Sequence, residues 1–308
     1  MTIAICICTC DRVRSLRALL SALPEMELGS LAPGEMFFVV VDNQPDGGAR
    51  AVCEQAGARL PCPLHFVEEP ERGISFARNR AVSTALAHGA DFIAFIDDDD
   101  LPRRDWLVHL VDRQRATTAD LVIGSWQMAD NLSVPNSLRG IRFFRPLDLD
   151  RVNRWGFPIS AGTCNVLIGR RVVEHLGQAG PVFRPEFAFT GGGDTDFFIR
   201  ARTAGFSVAI AADSIVLLNW SGARLTWRGA LRRAFRLGGA SMHICRAHLS
   251  AADCDRKRRE ARKEVLRQTI ALPLIVLKPK KLAKRLSRIA RSLGVLHAHA
   301  GRSYRYYD

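Results

Sequence analysis

Four consecutive aspartates, Asp97-Asp98-Asp99-Asp100, directly follow the apolar run Phe92-Ile93-Ala94-Phe95-Ile96 and precede Leu101-Pro102. A short run rich in Phe and Ile that ends in a burst of charge reads as a buried strand stopping at an exposed loop. Adjacent carboxylates repel one another, and extended backbone sends alternate side chains to opposite faces. Asp97 and Asp99 are therefore expected to face one side together, where they could share a divalent cation with oxygen-rich ligands such as phosphates. The alternative is a solvated acidic turn. An EF-hand is unsupported, because the glycine and the distant glutamate of that loop are missing.

The elements that must position these carboxylates alternate between strand and helix. Ile3–Cys8, Met36–Val41, Leu64–Val67 and Phe92–Ile96 read as strands. Asp11–Leu23, a stretch near Ala49–Ala56, Ile74–His88 and Trp106–Arg115 read as helices, with Gly89 as a C-terminal stop. Repeated βα units of this length imply a mainly parallel sheet flanked by helices, and ligands of such sheets sit beyond the carboxyl ends of the strands. Thr9, Asp11, Asp42 and Asp97–Asp100 all fall at such ends, which suggests one site.

Composition is that of a globular protein, with 308 residues, 47% hydrophobic and 24% charged. Charge is uneven. Residues 224–308 carry 22 Lys and Arg against 5 Asp and Glu, a net of +17, while the preceding 223 residues sum to −4. A basic tail of this kind favours anionic partners: nucleic acid, acidic lipid or a polyanionic substrate. The eight cysteines include no C-x-x-C pair, so free thiols in a reducing cytoplasm are expected, with Cys6, Cys8 and Cys10 on one face of the first strand. No secretory leader is visible, so the sequons at Asn131 and Asn219 carry little weight, and no apolar run approaches the ~18 residues of a membrane span.

Neither glycine signature of a phosphate cradle is present, so a nucleotide here would be held by carboxylates and a metal. At this point the chain resembles the inverting family 2 glycosyltransferases of the GT-A fold, and most nearly the succinoglycan-type glucosyltransferases of exopolysaccharide synthesis. The matching segments are Ile5–Arg12, Val39–Asn43, Gly73–Asn79, Phe95–Asp100 with Asp105-Trp106-Leu107, Gly162-Thr163-Cys164-Asn165, and Gly191-Gly192-Gly193-Asp194-Thr195-Asp196-Phe197-Phe198. They run in order over about residues 3–245, and the tyrosine-rich C-terminus looks similar too.

The resemblance implies a role for each matched residue. Asp42 corresponds to the aspartate that recognises uracil, Thr9 and Asp11 lie in the first nucleotide-contacting loop, and Arg78 matches a basic residue near the donor. Asp97 corresponds to the ribose contact, and Asp99 to the ligand of the Mg²⁺ or Mn²⁺ that bridges the diphosphate. Asp194 matches the general base, with Gly192 and Asp196 beside the acceptor. Asp194 would also suit the N-cap of a helix over Thr195–Ala204, and Arg78 could equally be a surface arginine on an amphipathic helix. Two positions depart from the family: Gly193 stands where a glutamate is common, and Val216-Leu217-Leu218 where many members carry a metal-ligating histidine. His243 is the candidate to compensate.

In the tail, Asp255–Gln268 reads as a densely charged helix and Thr269–Leu277 as an apolar run broken by Pro273. Lys280–Leu296 places Leu282, Leu286, Ile289, Leu293 and Leu296 at steps of four and three among Lys and Arg, which makes an amphipathic helix with a basic face. Such a helix either lies in an anionic membrane surface or packs on the catalytic domain with its charges in solvent. Nucleic acid is not the expected partner, since no recognition motif or interleaved aromatic accompanies the charge. The sequence is thus expected to fold as an α/β GT-A domain over 1–222 with a basic helical, membrane-associated region over 223–308. Its expected activity is transfer of a hexose from a nucleotide sugar to a lipid-linked or saccharide acceptor at the cytoplasmic face of the membrane. The competing reading is a non-catalytic nucleotide-sugar-binding or scaffold protein of a polysaccharide assembly complex.

Overall fold

The computed structural model describes every residue except 45–47, 130, 131, 145–148, 150, 160, 221, 274–277 and 303–308. The Asn131 sequon, the end of the apolar run 269–277 and the tyrosine-rich terminus therefore lie outside the described residues. The chain divides into two compact units. The first comprises Met1–Ala129, Leu147–Ala188 and Phe197–Asn219, and the second Asp130–Pro146, Phe189–Asp196 and Trp220–Asp308. The second unit thus begins its long final segment three residues before the expected boundary, and it also takes in the Gly191–Asp196 stretch.

The first unit opens with β1 (Ile3–Thr9), α1 (Val13–Ala22), β2 (Met36–Asp42), α2 (Ala49–Gly57), β3 (Leu64–Glu68), α3 (Ile74–Ala87) and β4 (Phe92–Asp97). These follow the expected elements to within about two residues. A three-residue strand, β5 (Asp100–Pro102), comes next, then α4 (Trp106–Thr117), β6 (Leu121–Met128), β7 (Asn165–Gly169) and α5 (Arg170–Gln178). Helix α6 (Gly193–Thr203) starts in the second unit and leads back into the first, which ends with β8 (Val208–Leu218).

The strands form one eight-stranded sheet in the order β3-β2-β1-β4-β7-β6-β8-β5. Pairs β1–β2, β1–β4, β2–β3 and β6–β8 are parallel, while β7 runs antiparallel to β4 and β6, and β5 to β8. Strands covered on both faces read as continuous apolar runs. Accordingly, every residue of β2 is buried, as is all of β1 except Cys8. Leu16, Leu19 and Leu20 of α1 and Leu107, Leu110 and Val111 of α4 join the same core. Because β2 and β4 flank β1 on opposite sides, the strand order reverses there, and the carboxyl ends of β1 and β4 are the switch point at which sheets of this kind place ligands.

Asn165 fixes the junction of the sheet's second half. Between Gly124 and Ser125 the partner of β6 on β8 jumps from Ala211 to Ile215. Asn165, 2% exposed on β7, donates through Nδ2 to Ser125 O and Ser214 O, both at 2.9 Å. A Cβ on Gly124 would collide with the Asn165 carboxamide, so the glycine makes room for it. The side chain supplies the two donors that the broken ladder lacks.

The second unit consists mainly of α7 (Trp227–His248), α8 (Ala251–Ile270) and α9 (Pro279–His299). Helices α7 and α9 cross at glycine: a Cβ on Gly238 would overlap Arg291 O, and one on Gly294 would overlap Phe235 O. The side of α9 that is buried consists of Ala283, Ser292, Gly294, Val295 and Ala298. Leu282, Leu286, Ile289 and Leu296 are only half-buried and Leu293 is exposed. The small residues of α9 thus make its packed face, and the leucine stripe lies at the margin of that face. Among the described residues no helix is long and apolar enough to cross a membrane.

Replacing Asn165 with leucine strands the Ser125 and Ser214 carbonyls, at about 1–3 kcal/mol for each buried unsatisfied group. Urea unfolding of Asn165→Leu should show a loss of ~2–5 kcal/mol. A loss below ~1 kcal/mol would mean that those carbonyls find other donors.

Candidate functional site

Strand register brings the polar strand ends level in the first unit. Thr9 pairs with Asp42, Cys8 with Asp97, and Asp42 with Glu68. Asp42 is 1% exposed. Its Oδ1 accepts from the Gln44 amide at 2.9 Å, and its Oδ2 has no hydrogen-bond partner among the described residues. Burial pushes its pKa above the ordinary carboxylate value, aided by the Glu68 charge and opposed by the Gln44 N–H. A buried acceptor left open this way loses free energy unless a ligand donor completes it. The neighbouring Asn43 donates to Glu69 O and Glu71 O and accepts from Gly73 N at 2.7 Å, which fixes the approach to α3.

The four aspartates alternate as their spacing predicts: Asp98 and Asp100 are buried, Asp97 and Asp99 half-buried. This holds although Asp98 and Asp99 form a turn between β4 and β5 rather than continuous strand. Asp98 accepts from the Thr9 hydroxyl at 2.8 Å and from Arg12 Nη1 at 2.9 Å, and the same guanidinium nitrogen lies 3.2 Å from Asp99 Oδ2. Burial is the largest influence on Asp98 and raises its pKa, and the nearby Arg12 charge pulls it back. Thr9 is 3% exposed with its hydroxyl given to Asp98, so it supports the loop through that residue. Asp11 is exposed in the same loop and adopts φ 53°, a left-handed conformation that aspartate tolerates better than most residues.

Arg78 is 8% exposed, with its guanidinium 5.6 Å from the centre of the Phe183 ring, so it is not the surface arginine of an amphipathic helix. It lies close enough to Cys8 to oppose the rise of that thiol to about 12, which burial drives and Asp97 and Asp98 reinforce. Arg12 was not singled out by its sequence. Its only signal was its place three residues after Thr9, in the loop that faces the aspartates.

Asp194 lies in the second unit. Helix α6 begins at Gly193, with Asp196 N bonded to Gly192 O at 2.9 Å, so Asp194 stands inside the first turn and is not the N-cap of a helix starting at Thr195. The aligned peptide dipoles favour a carboxylate there. Gly191 and Gly192 take φ of 73° and 98°, and a Cβ on Gly192 would meet Ile244 of α7. Asp196 is fully buried and contacts His248 Nε2 at 2.8 Å. As placed, it faces α7 and not solvent. His243, also on α7, borders a cavity of ≈ 10 Å³ with Thr190, Gly294 and His297, and burial lowers its pKa.

Among the described residues no group of three His, Cys, Asp or Glu side chains converges on one point. A Mg²⁺ or Mn²⁺ held through diphosphate needs only one or two carboxylates, because phosphates and water complete its shell. Asp99, with a side chain 12% exposed, offers hard oxygen at the strand end and fits that donor set. On β8, Leu217 pairs with Leu101, and Asn219 N lies 3.3 Å from Asp99 O. The strand beside Asp99 thus presents an apolar residue, in keeping with the departure seen at Val216-Leu217-Leu218.

A mainly parallel sheet flanked by helices, with acidic residues at the carboxyl ends of β2 and β4, is an arrangement of the GT-A class. The chain belongs to glycosyl transferase family 2, whose family model matches residues 4–177. It is 31% identical over 204 residues to succinoglycan biosynthesis protein ExoM of Rhizobium meliloti, covering 65% of this chain and 62% of that one. It is 27% identical over 177 residues to glycosyltransferase AglE of Haloferax volcanii, covering 58% and 54%. The alignments therefore span less than two thirds of the length of either relative. The fold is shared with mannosyltransferase PcManGT of Pyrobaculum calidifontis, solved with GDP-Man and Mn²⁺ (TM-score 0.58, 16% identity, 96% of this chain and 86% of that one). It is also shared with S. aureus TarS 1-349 solved with UDP (TM-score 0.54, 13% identity, 99% and 93%).

Arg12→Met would leave the Asp98 carboxylate buried with Thr9 alone. Breaking a buried pair costs roughly 3–5 kcal/mol, and the partial exposure of Arg12 lowers that expectation to ~2–3 kcal/mol. Adding Asp98→Asn should recover most of the loss, because the uncompensated charge is gone. With its folded pKa raised, Asp98 also makes the wild type lose stability as pH climbs from the ordinary carboxylate value through that raised one. The Asp98→Asn variant should lack this slope, and parallel pH–stability curves for the two proteins would refute the assignment.

Proposed function

We propose that the protein is an inverting hexosyltransferase that uses a UDP-sugar donor and a lipid-linked or saccharide acceptor in cell-surface polysaccharide synthesis, working as a peripheral protein at the cytoplasmic face of the membrane. The observation that carries the reading is Asp42, a buried carboxylate with one open oxygen at the carboxyl end of β2. An imide N–H, as in uracil, is the donor such an oxygen lacks. ExoM's part in succinoglycan biosynthesis supports the polysaccharide context, and the solved TarS complex with UDP supports the choice of nucleotide.

In this reading Asp42 holds the base, Thr9 and Asp11 shape the first loop, Asp97 takes the ribose, and Arg78 adds positive charge on the donor side. Asp99 would hold Mg²⁺ or Mn²⁺, which when bound supplies charge neutralisation for the leaving diphosphate. Asp194 accepts the proton of the acceptor hydroxyl, whose oxygen forms a bond to the anomeric carbon as the bond to the diphosphate oxygen breaks. Attack from the face opposite the leaving group inverts that carbon. Gly192 and Asp196 set the backbone and the anchoring of the first turn of α6, from which Asp194 projects. The non-catalytic reading draws on Gly193 and Leu217, which supply neither a second carboxylate beside Asp194 nor an imidazole beside Asp99.

Transfer assays with UDP-, GDP- and dTDP-sugars, with and without Mn²⁺, test the activity. Asp194→Asn should keep UDP affinity and lose ~10²–10⁴-fold in turnover, the usual weight of a general base. Wild type that neither transfers nor slowly hydrolyses any donor would favour the scaffold. In calorimetry, Asp99→Asn should lose most of the metal dependence of UDP binding. UDP affinity should also weaken on acidification, beginning above the ordinary carboxylate range because Asp42 is raised, and Asp42→Asn should flatten that profile. A wild-type profile that is already flat would remove Asp42 from uracil recognition.

A further inference from the structure

The two most exposed large apolar side chains among the described residues lie one turn apart at the C-terminal end of α8: Leu266 at 64% and Ile270 at 69%. They continue a face of α8 whose earlier exposed positions include Arg259, Arg262 and Lys263. Eight residues separate the end of α8 from the start of α9, and Arg285 donates to Gln268 at 3.0 Å, so the end of α8 and the first turns of α9 are held side by side. There Lys278, Lys280, Lys281 and Lys284 are all exposed. Further along, Arg288 and Arg291 extend the Lys281–Lys284 row at helical spacing. Between Glu264 and Asp308 the sequence has ten Lys and Arg and no acid, and the connection contributes the uncharged Leu272-Pro273.

We propose that this end of the helical unit, Leu266 and Ile270 together with the exposed Lys278, Lys280, Lys281 and Lys284 at the start of α9, is the surface by which the protein docks on an anionic phospholipid bilayer. The proposal deepens the peripheral-membrane reading given above and places the contact at the α8–α9 end rather than on the mostly half-buried leucine stripe of α9. Exposed apolar groups beside a field of cations suit an acidic lipid surface, where apolar side chains enter the acyl boundary and ammonium groups meet headgroup phosphates. A second copy of this chain would set cations against cations, and a nucleic-acid duplex would leave Leu266 and Ile270 in water.

The test is co-sedimentation of the full chain with vesicles of phosphatidylcholine containing about a third phosphatidylglycerol, against pure phosphatidylcholine. Intact protein should bind the anionic vesicles at low salt and be largely released by 0.5 M NaCl, since the attraction is screened within a Debye length. Leu266→Ser/Ile270→Ser should weaken vesicle binding about tenfold or more, and Lys280→Glu/Lys281→Glu/Lys284→Glu should do so at least as strongly. Both variants should melt with the wild type, because the altered side chains are exposed. Vesicle binding is read without donor or acceptor, so it stands or falls separately from the transfer assay. Equal binding by both variants, absence of binding by intact protein, or a wild-type dimer that dissociates in Leu266→Ser/Ile270→Ser would each overturn the proposal.

Discussion

The arrangement of the candidate donor site depends on neutralising one buried carboxylate. Four adjacent aspartates cannot all point into solvent at a strand end, and two of them, Asp98 and Asp100, are turned inward. Asp98 tolerates this because Thr9 at the end of β1 and Arg12 in the β1–α1 loop converge on its two oxygens. That pair of contacts ties the end of β4 to the end of β1, leaving Asp97 and Asp99 half-exposed. Arg12 also reaches Asp99, so one guanidinium sets the charge seen by both residues. Arginine suits the position, since its fork carries several donors at fixed angles where lysine would supply a point charge.

Much of the first half of the fold was legible because local and tertiary signals agree there. Strands β1, β2 and β4 are apolar and largely buried, β3 is a half-buried edge strand, and the helices between them carry apolar spacing. The later strands were not read. Strand β5 has only three residues, and β6 and β8 meet at a bulge that period-two reasoning does not anticipate. That bulge depends on Asn165, a residue conspicuous in its Gly-Thr-Cys-Asn segment, but whose hydrogen bonds to Ser125 and Ser214 cross 40 and 49 residues of chain. The acidic residues of the site were legible by type and position. Arg12 was not, because nothing in a single arginine reveals which carboxylates it will face.

Helix α9 shows why amphipathic spacing alone does not specify which surface packs. Its leucines repeat at steps of four and three, as an interfacial helix requires. The contact with α7, however, is made by the smaller residues beside that stripe, since Gly238 and Gly294 let the backbones approach more closely than any side chain would allow. A row of leucines measures hydrophobicity, whereas the glycines determine which surface can come closest. The half-buried leucines then form the margin of the packed face, and the cations fall on the side turned to solvent.

The helical unit is therefore more than an appendage that carries charge. Gly191 and Gly192, in backbone conformations that favour glycine, carry the chain against Ala240 and Ile244 of α7, and Asp196 fastens the start of α6 to His248 at the end of the same helix. Asp194 sits between these two attachments. Its backbone position is set by α7, and α7 is in turn held by α9 through glycine contacts that admit no Cβ. A carboxylate acting as a base must be held within a few tenths of an ångström of its productive position. In the role proposed for Asp194, that precision would rest on side chains more than forty residues downstream, since α7 fixes the turn that carries it.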